Sequence, residues 1–281
     1  MNIGIINKRL IKKIRGENKM CLVTFMKDRH PDYPLILVAN RDELYDRPAA
    51  PIHRWMDEPT VTAGLDLKEK GTWLGYTNDG KFIAVLNYPF TEWEPKTTTP
   101  RSRGQLLRDY LTKDFSLDDF NQYLQNTREE YNGFHLLYGS FNDLRYYSNI
   151  HNHFHTFKSG IHCLANTYDD LSNHRKNRAA ELLSHYLEVH TGELKLDELV
   201  GLMQDNIKSG TLENYPKELD YEMAKQNSPV FIQGDEFGTV GTTAILVDKN
   251  GYIHVREVKY DQEGVTEVTT KEQPLNLKMT K

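Results

Sequence analysis

An α+β fold, antiparallel sheets covered by helices, is what the order of segments predicts. Short apolar runs of strand length open and close the chain, and helical patterns cluster between them. Asp-Gly and Asn-Gly turns tie neighbouring runs into hairpins.

The first strand is Met20-Cys21-Leu22-Val23-Thr24-Phe25 and the second Leu35-Ile36-Leu37-Val38-Ala39-Asn40, which runs into Arg41-Asp42-Glu43. The polar, proline-bearing stretch from Asp28 to Pro34 joins them as a loop. Leu44 to Pro51 reads as a proline-punctuated loop, Val61 to Gly64 as a short strand and Asp66 to Lys70 as a turn. Thr72 to Thr77 and Phe82 to Asn87 are strands around Asn78-Asp79-Gly80, with Pro89 stopping the ladder. After a polar loop to Pro100, Leu106, Leu107 and Leu111 give helical spacing from Gly104. Ser116, with Asp119 three residues on, opens a second helix to Gln125. Phe134 to Ser140 and Leu144 to Tyr147 form a hairpin at Asn142-Asp143. Ile161 to Ala165 is a strand ending at Asn166. Helices follow over Asn173 to His190 and Leu194 to Ile207, and Tyr215 to Pro229 reads as irregular. Strands over Thr242 to Val247, Tyr252 to Val258 and Val265 to Thr270 close the chain, the first two joined at Asn250-Gly251.

The 281 residues suit one domain with a substantial core. No apolar run approaches the roughly 18 residues of a membrane span. Two cysteines, Cys21 and Cys163, make no disulfide framework, and without a signal peptide a cytoplasmic location is expected. Residues 1–19 hold six Lys/Arg and one Glu, whereas the whole chain is −5, leaving an acidic body that argues against nucleic-acid binding. That basic segment is expected to lie upstream of the true start or to be removed, leaving 20–281 as the domain. Arg15-Gly16-Glu17 can be encoded by a purine run resembling a bacterial ribosome-binding site just before the Met20 codon. A basic surface helix and a cleaved propeptide are the alternatives.

Cys21 stands at the head of its strand, and the hairpin brings Arg41-Asp42-Glu43 near it. A thiolate is the nucleophilic form of cysteine, and nearby positive charge favours it. With Met20 as the start, removal of the methionine leaves Cys21 a free α-amine. Its ordinary pKa of about 7.7–8.0 suits it to act as base for its own thiol. Asn87, Asn132 and Asn166 lie at other strand ends, where an amide can donate to an oxyanion or a substrate. Each of them also suits a plain turn.

The motifs Met20-Cys21, Ala39-Asn40-Arg41-Asp42-Glu43, Gly64-Leu65-Asp66 and Gly71-Thr72-Trp73-Leu74-Gly75 resemble the NRDE family. Its animal members include Transport and Golgi organisation protein 2. Leu86-Asn87-Tyr88, Ser102-Arg103-Gly104, Tyr131-Asn132-Gly133-Phe134 and Gly238-Thr239 extend the likeness nearly to the C-terminus. That family in turn is similar to the cysteine N-terminal nucleophile hydrolases. The resemblance implies an αββα four-layer sandwich and a nucleophilic Cys21. It implies Arg41 as electrostatic partner of the thiol, and Asp42 or Glu43 orienting the α-amine. Asn87 and Asn166 become candidate oxyanion or substrate donors, and Arg175 or Arg178 anchors the carboxylate. Glu43, Trp73, Tyr88, Asn132, Arg175 and Arg178 are the candidate substrate-binding residues. Adjacent strand residues face opposite sides, so Arg41 and Asp42 both point at Cys21 only if the strand ends before them.

The function expected is therefore amide hydrolysis or acyl transfer on a small linear amide or acyl compound, with no cofactor. The competing expectation is a non-catalytic carrier of lipid, acyl-CoA or haem on the same fold, with ligand among Trp55, Trp73, Tyr88, Phe90 and Trp93. A carrier tolerates Cys21→Ser; the enzyme does not. His151, His153 and His155 alternate and would share a face of a strand, but an exposed polar strand is the commoner outcome and no metal is expected. Cys163 reads as a small core residue.

Overall fold

The computed structural model describes residues 21–88, 93–166, 174–212 and 221–276. The expectations for residues 1–20, for Pro89 and Phe90, for the start of the 173–190 helix and for 215–220 lie outside these. Two antiparallel sheets stack face to face. The first joins β1 (Cys21–Lys27), β2 (Leu35–Leu44), β10 (Gly160–Ala165), β11 (Phe237–Val247), β12 (Tyr252–Tyr260) and β13 (Val265–Pro274), in the order β10-β1-β2-β11-β12-β13. The second is a meander in chain order: β3 (Ala49–Arg54), β4 (Val61–Asp66), β5 (Leu74–Thr77), β6 (Lys81–Asn87), β7 (Phe134–Ser140), β8 (Leu144–Ser148) and β9 (His153–Thr156).

Continuous apolar runs such as Leu35 to Ala39 make sense because both faces of the first sheet are covered. Inward-facing Cys21, Val23, Phe25, Leu37 and Ile245 meet Tyr76, Phe82 and Leu137 of the second sheet. The alternate residues Leu22, Ile36 and Val38 face outward to Ala179 and Leu183 of α3 (His174–Val189) and to Leu199 and Val200 of α4 (Leu196–Leu202). On the far side of the second sheet, α1 (Arg103–Thr112) and α2 (Leu117–Thr127) lay Leu107, Leu111, Phe120 and Leu124 over Ile83, Leu136 and Tyr138. The architecture is thus an αββα sandwich. Ser116 caps α2, its hydroxyl accepting from the Asp119 N–H at 3.1 Å.

Some elements differ from expectation. β2 does not end at Asn40; it pairs with β11 as far as Leu44, across a bulge at Val240. The stretch expected to be a loop around Pro51 contains β3, an edge strand whose register slips between Ala50 and His53, where a proline costs no ladder bond. β11 begins at Phe237 rather than Thr242. α4 is shorter than the 194–207 helix expected, and α5 (Tyr221–Gln226) occupies part of the stretch read as irregular.

Candidate active site

Cys21 opens β1 and is paired across the ladder with Arg41. Both side chains face the second sheet, because odd positions of β1 and β2 point inward there. They border a cavity of about 290 Å³ that also reaches Trp73, Asn87 and the start of α1. Cys21 is only 7% exposed. Burial pushes its thiol up to about 11, and the Asp42 carboxylate adds to that rise. The backbone N–H of Asp42 and the Arg41 charge act in the opposite direction. With its nitrogen held in a peptide bond, this cysteine is protonated at neutral pH.

The Cys21 N–H donates to Asn166 Oδ1, and Asn166 Nδ2 donates to the Asn87 backbone carbonyl. Asn166 thereby ties the end of β10 and the end of β6 to the first residue of β1. It is buried behind the cavity wall, so its amide holds the Cys21 nitrogen rather than facing a ligand. Asn87 and Asn132 do line the cavity.

Arg41 lies over the Trp73 ring, 4.4 Å from its centroid. Trp73 has room there because Gly64 lacks a side chain: a Cβ on Gly64 would fall 2.3 Å from the indole. The Arg41 side chain is nine-tenths buried, and its nearest carboxylate among the described residues, Glu43, is 3.8 Å away, beyond hydrogen-bond reach. Arg47 is bound to Asp66 at 2.7 Å and stands 3.6 Å from Glu43, so that Glu43 lies between the two arginines.

Because β2 continues as a strand, Asp42 points the other way, toward α3. Its carboxylate accepts from Arg175, and its Oδ1 accepts from Thr239 Oγ1 at 2.7 Å. Arg175 also donates to the carbonyls of Pro229 at 2.8 Å and Val230 at 2.9 Å. Burial raises the Asp42 pKa while Arg175 and Thr239 lower it. Arg175, enclosed in this pair, is not on the cavity wall. Arg178 is farther off, bound to Asp205 at 2.7 Å. Asn40, on the same outward face, bridges Met203 O and Val230 O at 2.9 Å each and accepts from Thr242 Oγ1 at 2.7 Å.

Of the described aromatics expected to form a ligand chamber, Trp73 lines the cavity. Tyr88 packs edge-on to His135, Trp55 lies in the core beneath α1, and Trp93 donates to Tyr131 O at 3.0 Å. Of the three histidines, His153 and His155 sit on β9, His151 precedes it, and no group of three metal-ligating side chains forms among the described residues. Cys163 is half-buried on β10, against the helix-side core. The pairing of Asp42 with Arg175 has no signal in sequence spacing, since the two stand far apart in the chain; the family resemblance alone points to it. The arginines of the cavity mouth, Arg47, Arg101 and Arg103, are site residues that sequence reasoning misses. Arg103 does lie in the Ser102-Arg103-Gly104 motif, the one signal that could mark it.

The fold and site define a class: a two-sheet sandwich with a strand-leading cysteine on the floor of a polar cavity. The chain belongs to the Transport and Golgi organisation 2 family, whose profile matches residues 20–262. It is 29% identical to the Transport and Golgi organization protein 2 homolog of Bos taurus over 262 residues, 85% of this chain and 92% of that one. The Homo sapiens homolog is 29% identical over 268 residues, with the same coverage. Among solved structures, a mutant conjugated bile acid hydrolase from Clostridium perfringens aligns over 94% of this chain and 99% of its own, with 12% identity and a TM-score of 0.49. No helix among the described residues is long and apolar enough to cross a membrane.

Proposed function

We propose that the chain is a cysteine hydrolase or acyl transferase whose nucleophile, Cys21, is activated by its own α-amine once Met20 is removed. The observation that carries this reading is the fixing of the Cys21 nitrogen by Asn166 while its sulfur stands on the cavity floor beside Arg41. An amine held there is within reach of its own thiol.

The freed amine takes the thiol proton, and the sulfur attacks an amide carbonyl carbon. The negative charge on the carbonyl oxygen is met by the Asn87 side chain, with Arg41 supporting the sulfur. Collapse breaks the C–N bond, and the proton held on the α-amine goes to the leaving nitrogen. The resulting thioester is released by water or by another acceptor, the amine again removing the proton. Asp42 is a positioning residue: its pair with Arg175 fixes the part of β2 that holds Arg41 opposite Cys21. The profile match beginning at Met20 fits a functional chain that starts there.

A carrier of lipid or haem calls for an apolar chamber, and the arginines and carboxylates of this wall suit a polar ligand better. The test uses protein expressed from Met20, with Met20 loss checked by intact mass, against a panel of N-acyl-p-nitroanilides. Turnover is expected, and Cys21→Ala and Cys21→Ser both abolish it. Turnover that survives either substitution contradicts the proposal.

A further inference from the structure

Ser102-Arg103-Gly104 has no part in the chemistry above, yet it lines the same cavity. α1 begins here. Ser102 is its N-cap, but the Ser102 hydroxyl makes no capping bond, and the first turn contains no acidic residue. Among the described residues no acceptor meets the backbone N–H of Gly104 or Gln105. The partial positive charge of a helix N-terminus is therefore uncompensated on the chain's own account.

A second feature of the same wall is independent of the helix. Arg41, nine-tenths buried and aimed into the cavity, has no hydrogen-bond acceptor among the described residues; Glu43 is too far at 3.8 Å. The Arg41 donors face the cavity, where a ligand can meet them. Asp66 is bound by Arg47 and Asp42 by Arg175, Glu43 stands between Arg41 at 3.8 Å and Arg47 at 3.6 Å without a hydrogen bond to either, and Glu69 is exposed at the rim. The two features are brought together by Gly71-Thr72-Trp73. A Cβ on Gly71 would lie 2.3 Å from the Gly104 carbonyl carbon, and the Thr72 N–H donates to Gly104 O at 3.2 Å. Trp73, the next residue, carries Arg41 on its ring. Arg103, donating to Gly133 O at 2.7 Å, adds positive charge beside them, while Arg101 is paired with Glu130 at 2.9 Å.

We infer that the cavity recognises its substrate by an anionic head group, a carboxylate or phosphate, received between Arg41 and the start of α1 at Gly104, whose N–H is unmet. The guanidinium has five N–H donors, enough to meet the head group and still face the sulfur. A small acyl compound with a charged head fits such a wall; a neutral lipid does not. That the bound anion belongs to a substrate rests on the nucleophile reading, whereas the anion site itself rests on α1 and Arg41.

Titration calorimetry on the Cys21→Ala chain, in which no turnover intervenes, tests this with three probes: N-acetylglycine, inorganic phosphate and neutral N-acetylglycinamide. At least one anion is expected to bind tenfold or more tighter than the neutral amide, and to weaken as salt is raised. Binding of N-acetylglycine alone assigns a carboxylate head, and binding of phosphate alone a phosphate head. Ser102→Asp places a carboxylate where it caps that N–H, so its melting temperature is expected to be unchanged or higher while anion affinity falls at least tenfold. Equal affinity for the neutral amide, no binding of either anion, or anion binding undiminished in a folded Ser102→Asp chain would overturn the inference. Failure of wild-type turnover with anion binding intact would remove the catalytic reading and leave the anion site standing.

Discussion

Freeing the Cys21 nitrogen should convert a dormant thiol into a reactive one. While the nitrogen is in a peptide bond, burial holds the thiol up at about 11. At pH 7.4 its thiolate fraction is then on the order of 300-fold below that of an ordinary cysteine with a pKa of about 8.5. Loss of Met20 places an ammonium within about 4 Å of the sulfur. At an effective dielectric of about 20 that charge favours the thiolate by about 4 kcal/mol. Since about 1.36 kcal/mol is tenfold, the thiolate population rises by about a thousandfold. The assay is iodoacetamide alkylation of two forms, one starting at Cys21 and one retaining Met1 to Met20, with peptide mapping to separate Cys21 from Cys163. The processed form should react at Cys21 at least a hundredfold faster at pH 7.4. In the unprocessed form the Cys21 rate should climb tenfold per pH unit up to the highest pH the fold survives, because a raised thiol pKa means the proton is lost only as pH rises toward 11. Equal rates in the two forms would refute the reasoning.

Three further predictions concern the frame around the site. Asp42→Asn leaves Arg175 buried without its anion and should lower stability by about 3–5 kcal/mol, measured by urea unfolding; a loss below about 1 kcal/mol would mean the pair is not what holds β2 to α3. Asn40→Ala orphans the carbonyls of Met203 and Val230 and the Thr242 hydroxyl, at a cost of about 2–3 kcal/mol in the same measurement. Gly71→Ala forces its Cβ against Gly104 and should displace α1, reducing acyl-anilide turnover at least tenfold while far-UV circular dichroism stays unchanged; wild-type turnover would show that α1 does not help shape the cavity.

Much of this arrangement is legible in the sequence, and the exceptions have physical reasons. Apolar runs mark β1, the core of β2 and β6, because a strand buried on both faces needs them. The Asp79-Gly80 and Asn250-Gly251 turns mark hairpins that form, since those residues adopt the turn geometry readily. Arg41-Asp42-Glu43 looks like the end of a strand because charge rarely continues one. Here Arg41 continues it by stacking on Trp73, and Asp42 by meeting an arginine from a distant helix. Pro51 hides β3 because an edge strand can accept a proline, and edges are not visible in a linear pattern. Cys21 and the asparagines at strand ends are readable as candidates. That Asn166 grips the Cys21 nitrogen while Asn87 faces the cavity depends on how β10, β1 and β6 meet, which no local pattern encodes.

The most direct test of the central claim is acyl trapping on the processed protein. Protein starting at Cys21 is mixed with p-nitrophenyl acetate, quenched in acid and read by intact mass and peptide mapping. One acetyl group is expected on Cys21, released by hydroxylamine as a thioester is, and absent both from Cys21→Ala and from protein that retains Met20. Acetylation that avoids Cys21, or that proceeds equally with Met20 in place, would contradict it.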